Sequence, residues 1–363
     1  MKIAMIGLRG IPAKSGGIEY AVENLAVELA KLGVDVTVYC RTPYCPKKPK
    51  NYKGVKLRYI PTINTKYTEA FVHTTLSTFD AIFRDFDVVH YHAMGNAQFS
   101  FIPRIFGKKT VVTLHGLDWQ REKWGLIAKT YLKFCERCIT IFPNKVISVS
   151  QKIKNYYQSK YRKEIEYIPN GIRIEKKVKL NRLKRFGLKK NKYILFLSRI
   201  VPEKGLQYLI PAFKQLKTDI KLVIAGDVTH TEEYLAKIKD MAKNDPRIIF
   251  TGPLYGIDKV EAYSNARLFV LPSTIEGMPI VLLEAMSYGL RPLVSDIPEN
   301  MEIVHDKKNA FKNKDITELR NKLSHLITEK NSNKKESADV KIIKEKYSWS
   351  TIAKNSLRLY NEK

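Results

Sequence analysis

The chain has 363 residues, which at roughly 150 residues per domain points to two domains with real cores, and its 44% hydrophobic content excludes a disordered polypeptide. Lys and Arg number 64 against 36 Asp and Glu, and the resulting net charge of +28 asks for an anionic partner: nucleic acid, an anionic membrane face or a phosphorylated ligand. No apolar run reaches the ~18 residues of a membrane span, and Arg9 interrupts the Ile3 to Leu8 run before it becomes a signal-peptide core, so a cytoplasmic protein is expected.

The chain opens as a buried strand over Lys2 to Gly7, followed by a loop at 9–17 rich in Gly and Pro. Helical spacing of Val22, Leu25, Ala26, Leu29 and Leu32 follows, with Gly33 as the stop signal, and Val34 to Tyr39 returns as a strand. This βαβ unit predicts the start of a doubly wound sheet. Further strands are expected at Val55 to Ile60, Asp87 to Tyr91, Thr110 to Leu114 and Lys145 to Val149, completing one sheet by about residue 170. After the turn Pro169-Asn170-Gly171 and a basic stretch at 173–192, a second alternation begins. Its strands are Tyr193 to Leu197, Lys221 to Ala225, Arg247 to Phe250, Leu268 to Leu271 and Pro292 to Ser295, with helices between. A last amphipathic helix is expected over Tyr347 to Tyr360. Two Rossmann-like domains in series result, at 1–172 and 173–346, with a terminal helix at 347–363.

Two doubly wound domains place a ligand crevice at the carboxyl ends of their strands, and the informative residues should follow strands directly. Gly16-Gly17 precedes the first helix, where bare backbone can meet a phosphate or simply turn tightly. The spacing is neither a dinucleotide motif nor a P-loop: the Ala13-Lys14-Ser15 run lacks the glycine, and Pro12 removes an amide donor. Arg199 leaves the first strand of the second domain, with Lys204 five residues on, a spacing that suits a diphosphate clamp or a solvated basic loop. Glu276 lies in the turn after a strand, and Glu284 falls within the next helix between Leu283 and Ala285, where a carboxylate needs hydrogen bonds such as ribose hydroxyls offer. Both glutamates also suit structural capping. His115 at a strand end can donate to a substrate oxygen or stand as an ordinary loop histidine, while His90 and His92 share one strand face. Asp85 and Asp87 precede their strand, on the side of the sheet away from the site. Cys135-x-x-Cys138 and Cys40-x4-Cys45 have half-site spacings for zinc, but i,i+3 cysteines in a helical stretch more often pack as small hydrophobes, and no metal is expected.

Taken together, Glu276-x7-Glu284, Arg199 with Lys204, Gly16-Gly17, His115 and Pro169-Asn170-Gly171 resemble the retaining GT-B glycosyltransferases of glycosyltransferase family 4 over essentially the whole chain. Ile6 to Pro12, Gly16 to Glu19, and His115 to Arg121 with Lys123-Trp124 are similar to a subgroup containing bacterial rhamnosyltransferases of capsule and O-antigen synthesis. The resemblance implies an α/β GT-B fold, with two Rossmann-like domains facing across a cleft and the terminal helix returning to the first. It implies an acceptor-binding first domain and a nucleotide-sugar-binding second domain. Glu284 would take the ribose hydroxyls, Arg199 and Lys204 the diphosphate, and Glu276 the transferred sugar with the segment Gly277, Met278, Pro279 and Ile280. His115 would contact the sugar, and Gly16-Gly17 would face the phosphates. Met278-Pro279 stand where many relatives carry Phe-Gly. The implied partners are a nucleoside-diphosphate sugar as substrate, with no cofactor or metal, and a glycan or lipid-linked acceptor.

Residues 41–58 hold Arg41, Lys47, Lys48, Lys50, Lys53, Lys56 and Arg58 with no acid among them. Such a patch suits an anionic inner leaflet and a peripheral location there, or a merely soluble basic surface. The rival functions are a sugar-nucleotide epimerase on the same architecture and a basic nucleic-acid-binding protein. No RNP, zinc-finger or helix-turn-helix signature supports the second, and no nucleic-acid partner is expected.

Overall fold

In the computed structural model the chain divides into two units, residues 1–171 with 349–363 and residues 172–348. The structure describes all residues except 14, 15, 64, 66, 67, 121–124, 229, 230, 330–337 and 363, and omits the side chains of 338 and 339. Lys14 and Ser15, and the motif positions Arg121, Lys123 and Trp124, therefore lie outside the described residues.

In the first unit, strand β1 (Lys2–Ile6) buries four consecutive side chains, as expected of a strand covered on both faces. Around it lie α1 (Gly17–Lys31), β2 (Asp35–Arg41), the short β3 (Asn51–Tyr52) and β4 (Val55–Ile60), α2 (Glu69–Ile82), and β5 (Val88–His92). Helix α3 (Phe101–Ile105), β6 (Lys109–Leu114), α4 (Leu126–Ile141), β7 (Lys145–Ser148), α5 (Gln151–Tyr161) and β8 (Glu166–Tyr167) complete the series. The sheet order is β3-β4-β2-β1-β5-β6-β7-β8, and every pair is parallel except the edge hairpin β3–β4. The order reverses between β1 and β5, the position where ligands bind in open sheets of this kind.

The second unit runs β9 (Tyr193–Leu197), α6 (Leu206–Lys214), β10 (Lys221–Ala225), α7 (Glu232–Ala242), β11 (Ile248–Gly252), α8 (Gly256–Asn265) and β12 (Leu268–Leu271). It continues through α9 (Ile280–Ser287), β13 (Arg291–Ser295), α10 (Pro298–Met301), β14 (Ala310–Phe311), α11 (Ile316–Thr328) and α12 (Ala338–Lys346). Its parallel sheet has the order β11-β10-β9-β12-β13-β14, so the switch point falls between β9 and β12. Ile194, Phe196, Leu222, Ile224, Leu268 and Val270 pack against α6 and α11 residues in one core.

Helix α13 (Trp349–Asn361) belongs to the first unit, where Ile352, Ala353, Leu359 and Tyr360 are buried. Tyr347 and Ser348, expected as part of that terminal segment, stay with the second unit, because the Ile172 amide donates to the Tyr347 carbonyl at 2.7 Å and Ile172 forms a parallel bridge with Ser348. Among the described residues no helix is long and apolar enough to cross a membrane.

Candidate active site

In the second unit the loops leaving β9 and β12 are fastened to each other. Gly205, at φ +77°, sits so close to the Pro272 carbonyl that a Cβ would come within 1.9 Å of its oxygen. The Thr274 amide donates to the Glu203 carbonyl at 2.8 Å. This contact carries Lys204 to Glu276, where Nζ and Oε1 lie 2.5 Å apart with the two side chains 13% and 7% exposed. Arg199 lies exposed on the same β9 loop. Pro279 caps α9, and having no amide hydrogen it leaves Gly277, Met278 and Ile280 as the donors of the segment expected to meet the sugar.

Glu284, on the second turn of α9, is buried and meets two partners that sequence reasoning missed. Lys259 on α8 donates to Oε1 at 2.7 Å, and the Tyr263 hydroxyl donates to Oε2 at 3.1 Å. Tyr263 is itself stacked on Tyr288, with ring centroids 5.4 Å apart. The switch point thus holds two ion pairs, each with a shielded carboxylate and a lysine reaching it from a neighbouring element.

The switch point of the first unit carries glycine-rich backbone and histidines. The loop after β1 is held by α1: the Arg9 amide donates to Glu19 Oε1 at 3.2 Å, and the Ala13 amide to Glu23 Oε2 at 2.6 Å. Gly16 has φ +97°, a conformation that favours glycine, and a Cβ there would displace the Glu19 carboxylate from its place at the Arg9 amide. A Cβ on Gly17 would meet open space.

His90, His92 and His115 form an array. The His90 and His92 rings are 4.2 Å apart between centroids, and His92 and His115 are 5.5 Å apart, with His92 Nδ1 3.2 Å from His115 Nε2. At its inner end His90 is held between Thr113 Oγ1 at 2.7 Å and the Tyr360 hydroxyl of α13 at 2.8 Å. Burial, with the His115 ring nearby, lowers the His90 pKa to about 3, and burial followed by its two histidine neighbours holds His92 well below the usual range. Both rings are neutral at physiological pH, so in each at most one nitrogen donates. Next to the array lies a cavity of about 20 Å³ lined in part by His92, Thr113, His115, Asn170, Trp349 and Ser356.

Two comparisons span nearly the whole chain. A model described as Glycosyltransferase Family 4 matches residues 15–176, and one described as Glycosyl transferases group 1 matches residues 180–344. The chain is a glycosyltransferase of this group 1/family 4 type. An uncharacterized glycosyltransferase of Methanocaldococcus jannaschii is 26% identical over 99% of the chain and 98% of its own length. The UDP-Gal:alpha-D-GlcNAc-diphosphoundecaprenol alpha-1,3-galactosyltransferase of Escherichia coli is 29% identical over 62% of each protein. In fold, the chain matches sucrose-phosphate synthase from Thermosynechococcus elongatus at a TM-score of 0.83 and 19% identity, over 99% of this chain and 98% of that one. Anabaena HepE, solved with UDP and glucose, matches at 0.79 and 18% identity over 99% of each chain. The fold is GT-B, as expected.

In this glycosyltransferase, Arg199, Lys204, Glu276 to Ile280 and Glu284 gather at the switch point of the second unit, while Gly16, Gly17 and His115 lie in the first. The basic patch at 41–58 is smaller than its sequence promises. Arg41 is buried against Glu69 at 2.8 Å, Arg58 pairs with Asp80, and Lys56, though exposed, pairs with Asp35 at 2.7 Å, while Lys47, Lys48, Lys50 and Lys53 are also exposed. Asp85 and Asp87 are engaged by Lys2 at the amino end of the sheet, away from the chemistry. All four cysteines are free and buried, with Cys135 Sγ against the Gly95 carbonyl, and among the described residues no three His, Cys, Asp or Glu side chains are grouped for a metal.

Proposed function

We propose that this glycosyltransferase moves a sugar, with retention of anomeric configuration, from a nucleoside-diphosphate sugar to a glycan acceptor on a lipid carrier during bacterial cell-surface polysaccharide synthesis. The observation that carries the reading is the pairing of Lys204 with Glu276 and of Lys259 with Glu284 around the N-terminus of α9. A nucleotide sugar presents the complementary set. Its diphosphate takes Arg199 and Lys204, its ribose hydroxyls take Glu284, and its sugar hydroxyls take Glu276 with the amides of Gly277, Met278 and Ile280. Lys204 exchanges the Glu276 carboxylate for the diphosphate, Glu276 takes hydroxyl donors in its place, and Lys259 stays on Glu284. In the first unit, which this reading gives to the acceptor, His115 meets the transferred sugar and Gly16-Gly17 bare their amides to phosphate.

No carboxylate in this set is assigned as a covalent nucleophile, which favours attack by the acceptor hydroxyl on the face the diphosphate leaves. The bond from the anomeric carbon to the diphosphate oxygen breaks, the bond to the acceptor oxygen forms, and the acceptor proton passes to the departing diphosphate. Arg199 and Lys204 neutralise charge as the bond lengthens, so the reading needs no divalent cation. The resemblance of Ile6 to Pro12, Gly16 to Glu19 and His115 to Arg121 to a subgroup containing rhamnosyltransferases favours rhamnose as the sugar, and the name of the E. coli relative favours a lipid-diphosphate acceptor. The test is to supply a nucleotide-sugar panel with lipid-diphosphate acceptors and follow the product by NMR, in EDTA. Retained anomeric configuration without added metal is expected; an inverted product, a trapped glycosyl-enzyme or strict metal dependence overturns the reading.

A further inference from the structure

Helix α2 is inside out. Its buried face carries His73, Thr74, Ser77 and Thr78, while Leu76, Phe79 and Phe83, at the i, i+3, i+7 spacing of a single stripe, are 43%, 50% and 82% exposed. Helix α4 has apolar side chains on both faces. Leu132, Cys135, Cys138 and Ile139 are buried with Glu136, and Ile127, Phe134 and Ile141, seven residues apart and so in line along about 21 Å of helix, are 89%, 57% and 64% exposed. Between them, exposed Phe101 and Ile105 of α3 continue the apolar surface, and the Phe101 ring lies 5.2 Å from that of Phe142 at the end of α4. The Arg104 guanidinium donates to the Ile141 and Phe142 carbonyls, fixing α3 against α4.

Charge selects the occupant. None of the acids on these three helices is exposed: Glu69 pairs with Arg41, Asp80 with Arg58 and Arg84, and Glu136 is wrapped by Lys160 and two tyrosines. The exposed ions on and bordering these helices are mostly cationic, Arg84, Arg104, Lys133 and Arg137, and the nearby acid Asp85, after the end of α2, is paired with Lys2. A contiguous apolar surface bordered by cations, on a chain of net charge +28, repels a second copy of itself and matches an anionic lipid surface.

We propose that the face formed by α2, α3 and α4 inserts its aromatic and aliphatic side chains among the headgroups of an anionic bilayer. It deepens the proposed use of a lipid-carried acceptor, and it moves the membrane contact from the 41–58 patch to a surface whose apolar side chains supply most of the binding. Flotation with phosphatidylglycerol/phosphatidylcholine vesicles, without nucleotide, tests it on the full chain. Phe83→Ser/Ile105→Ser/Ile127→Ser, all at exposed positions, is expected to lower partitioning ~100-fold. Reversing Lys47, Lys48, Lys50 and Lys53 to Glu is expected to cost under ~10-fold. The indole emission of a single Phe79→Trp variant, which keeps the fold, is expected to shift to the blue relative to wild type when vesicles are added. Full vesicle binding by the triple variant, no such shift from the vesicle-bound Phe79→Trp variant, or a wild type that dimerises through this face and ignores vesicles overturns the proposal. Nucleotide binding is measured without lipid, so the donor reading stands or falls separately.

Discussion

Lys204 and Glu276 hold one another in a site that exposes little of either, so removing one charge strands the other. Glu276→Gln is expected to lower kcat roughly 100-fold by releasing the sugar hydroxyls and misplacing Lys204, and a steady-state assay showing less than a fewfold change contradicts that role. Within the array, His92→Phe removes the hydrogen bond to His115 Nε2. Its expected signature is a roughly tenfold fall in kcat at unchanged donor KM, because His115 would be disoriented while the donor contacts of the second unit remain. Arg199, Lys204 and Glu276 could be picked out in the sequence as candidates because each follows a strand end, and Glu284 because a carboxylate between Leu283 and Ala285 in a helix needs hydrogen bonds. Lys259 and Tyr263 were not, nor was the contact of His92 with His115: their partners lie 25, 21 and 23 residues away, and contacts between elements leave no periodic trace.

Most strands and helices could be read directly, since a parallel strand buried on both faces is a short run of Val, Ile and Leu between turn signals. β4, β9, β10 and β12 have the expected bounds, and the helix of Glu284, expected over Pro279 to Tyr288, spans Ile280–Ser287. The hairpin β3–β4 went unseen inside the basic patch, where Lys53-Gly54 makes the turn with both residues at positive φ. The docking of α13 was expected from the family resemblance and could not be read from its periodicity, which reports that one face is buried and never against what. Tyr360 now supplies a handle on that docking. Tyr360→Phe deletes the hydroxyl that meets His90 Nδ1 and is expected to destabilise the first unit by about 1–2 kcal/mol in urea titration; an unchanged midpoint contradicts the contact.

At the scale of the molecule, three buried histidines tie stability to acidity. Burial lowers the pKa of His73 and His90 to about 3 and holds His92 well below 6.5. Unfolded, each takes up a proton near pH 6.5, so the unfolded state binds more protons throughout the interval below that value. The stability these groups contribute is therefore fully present above pH 6.5 and lost as pH falls toward 3, by up to about 4 kcal/mol per pH unit when all three lag. Denaturant titrations between pH 7 and 4.5 should show this decline, and a flat profile contradicts neutral burial. The large positive charge, which by itself suited nucleic acid as well as a membrane or a nucleotide, divides in the folded chain into internal ion pairs, the lysines and arginine of the candidate donor site, and the cationic border of an apolar face. Composition carries the total and says nothing of this division.

The central claim is that the switch point of the second unit holds a nucleoside diphosphate through Arg199, Lys204 and Glu284. Titration calorimetry of UDP, GDP, dTDP and a generic RNA at physiological salt, on wild type and on Glu284→Ala, tests it most directly. Selective binding of one diphosphate by the wild type, lost in the variant, is the predicted result. RNA binding without nucleotide preference, or diphosphate binding that the substitution leaves intact, would contradict it.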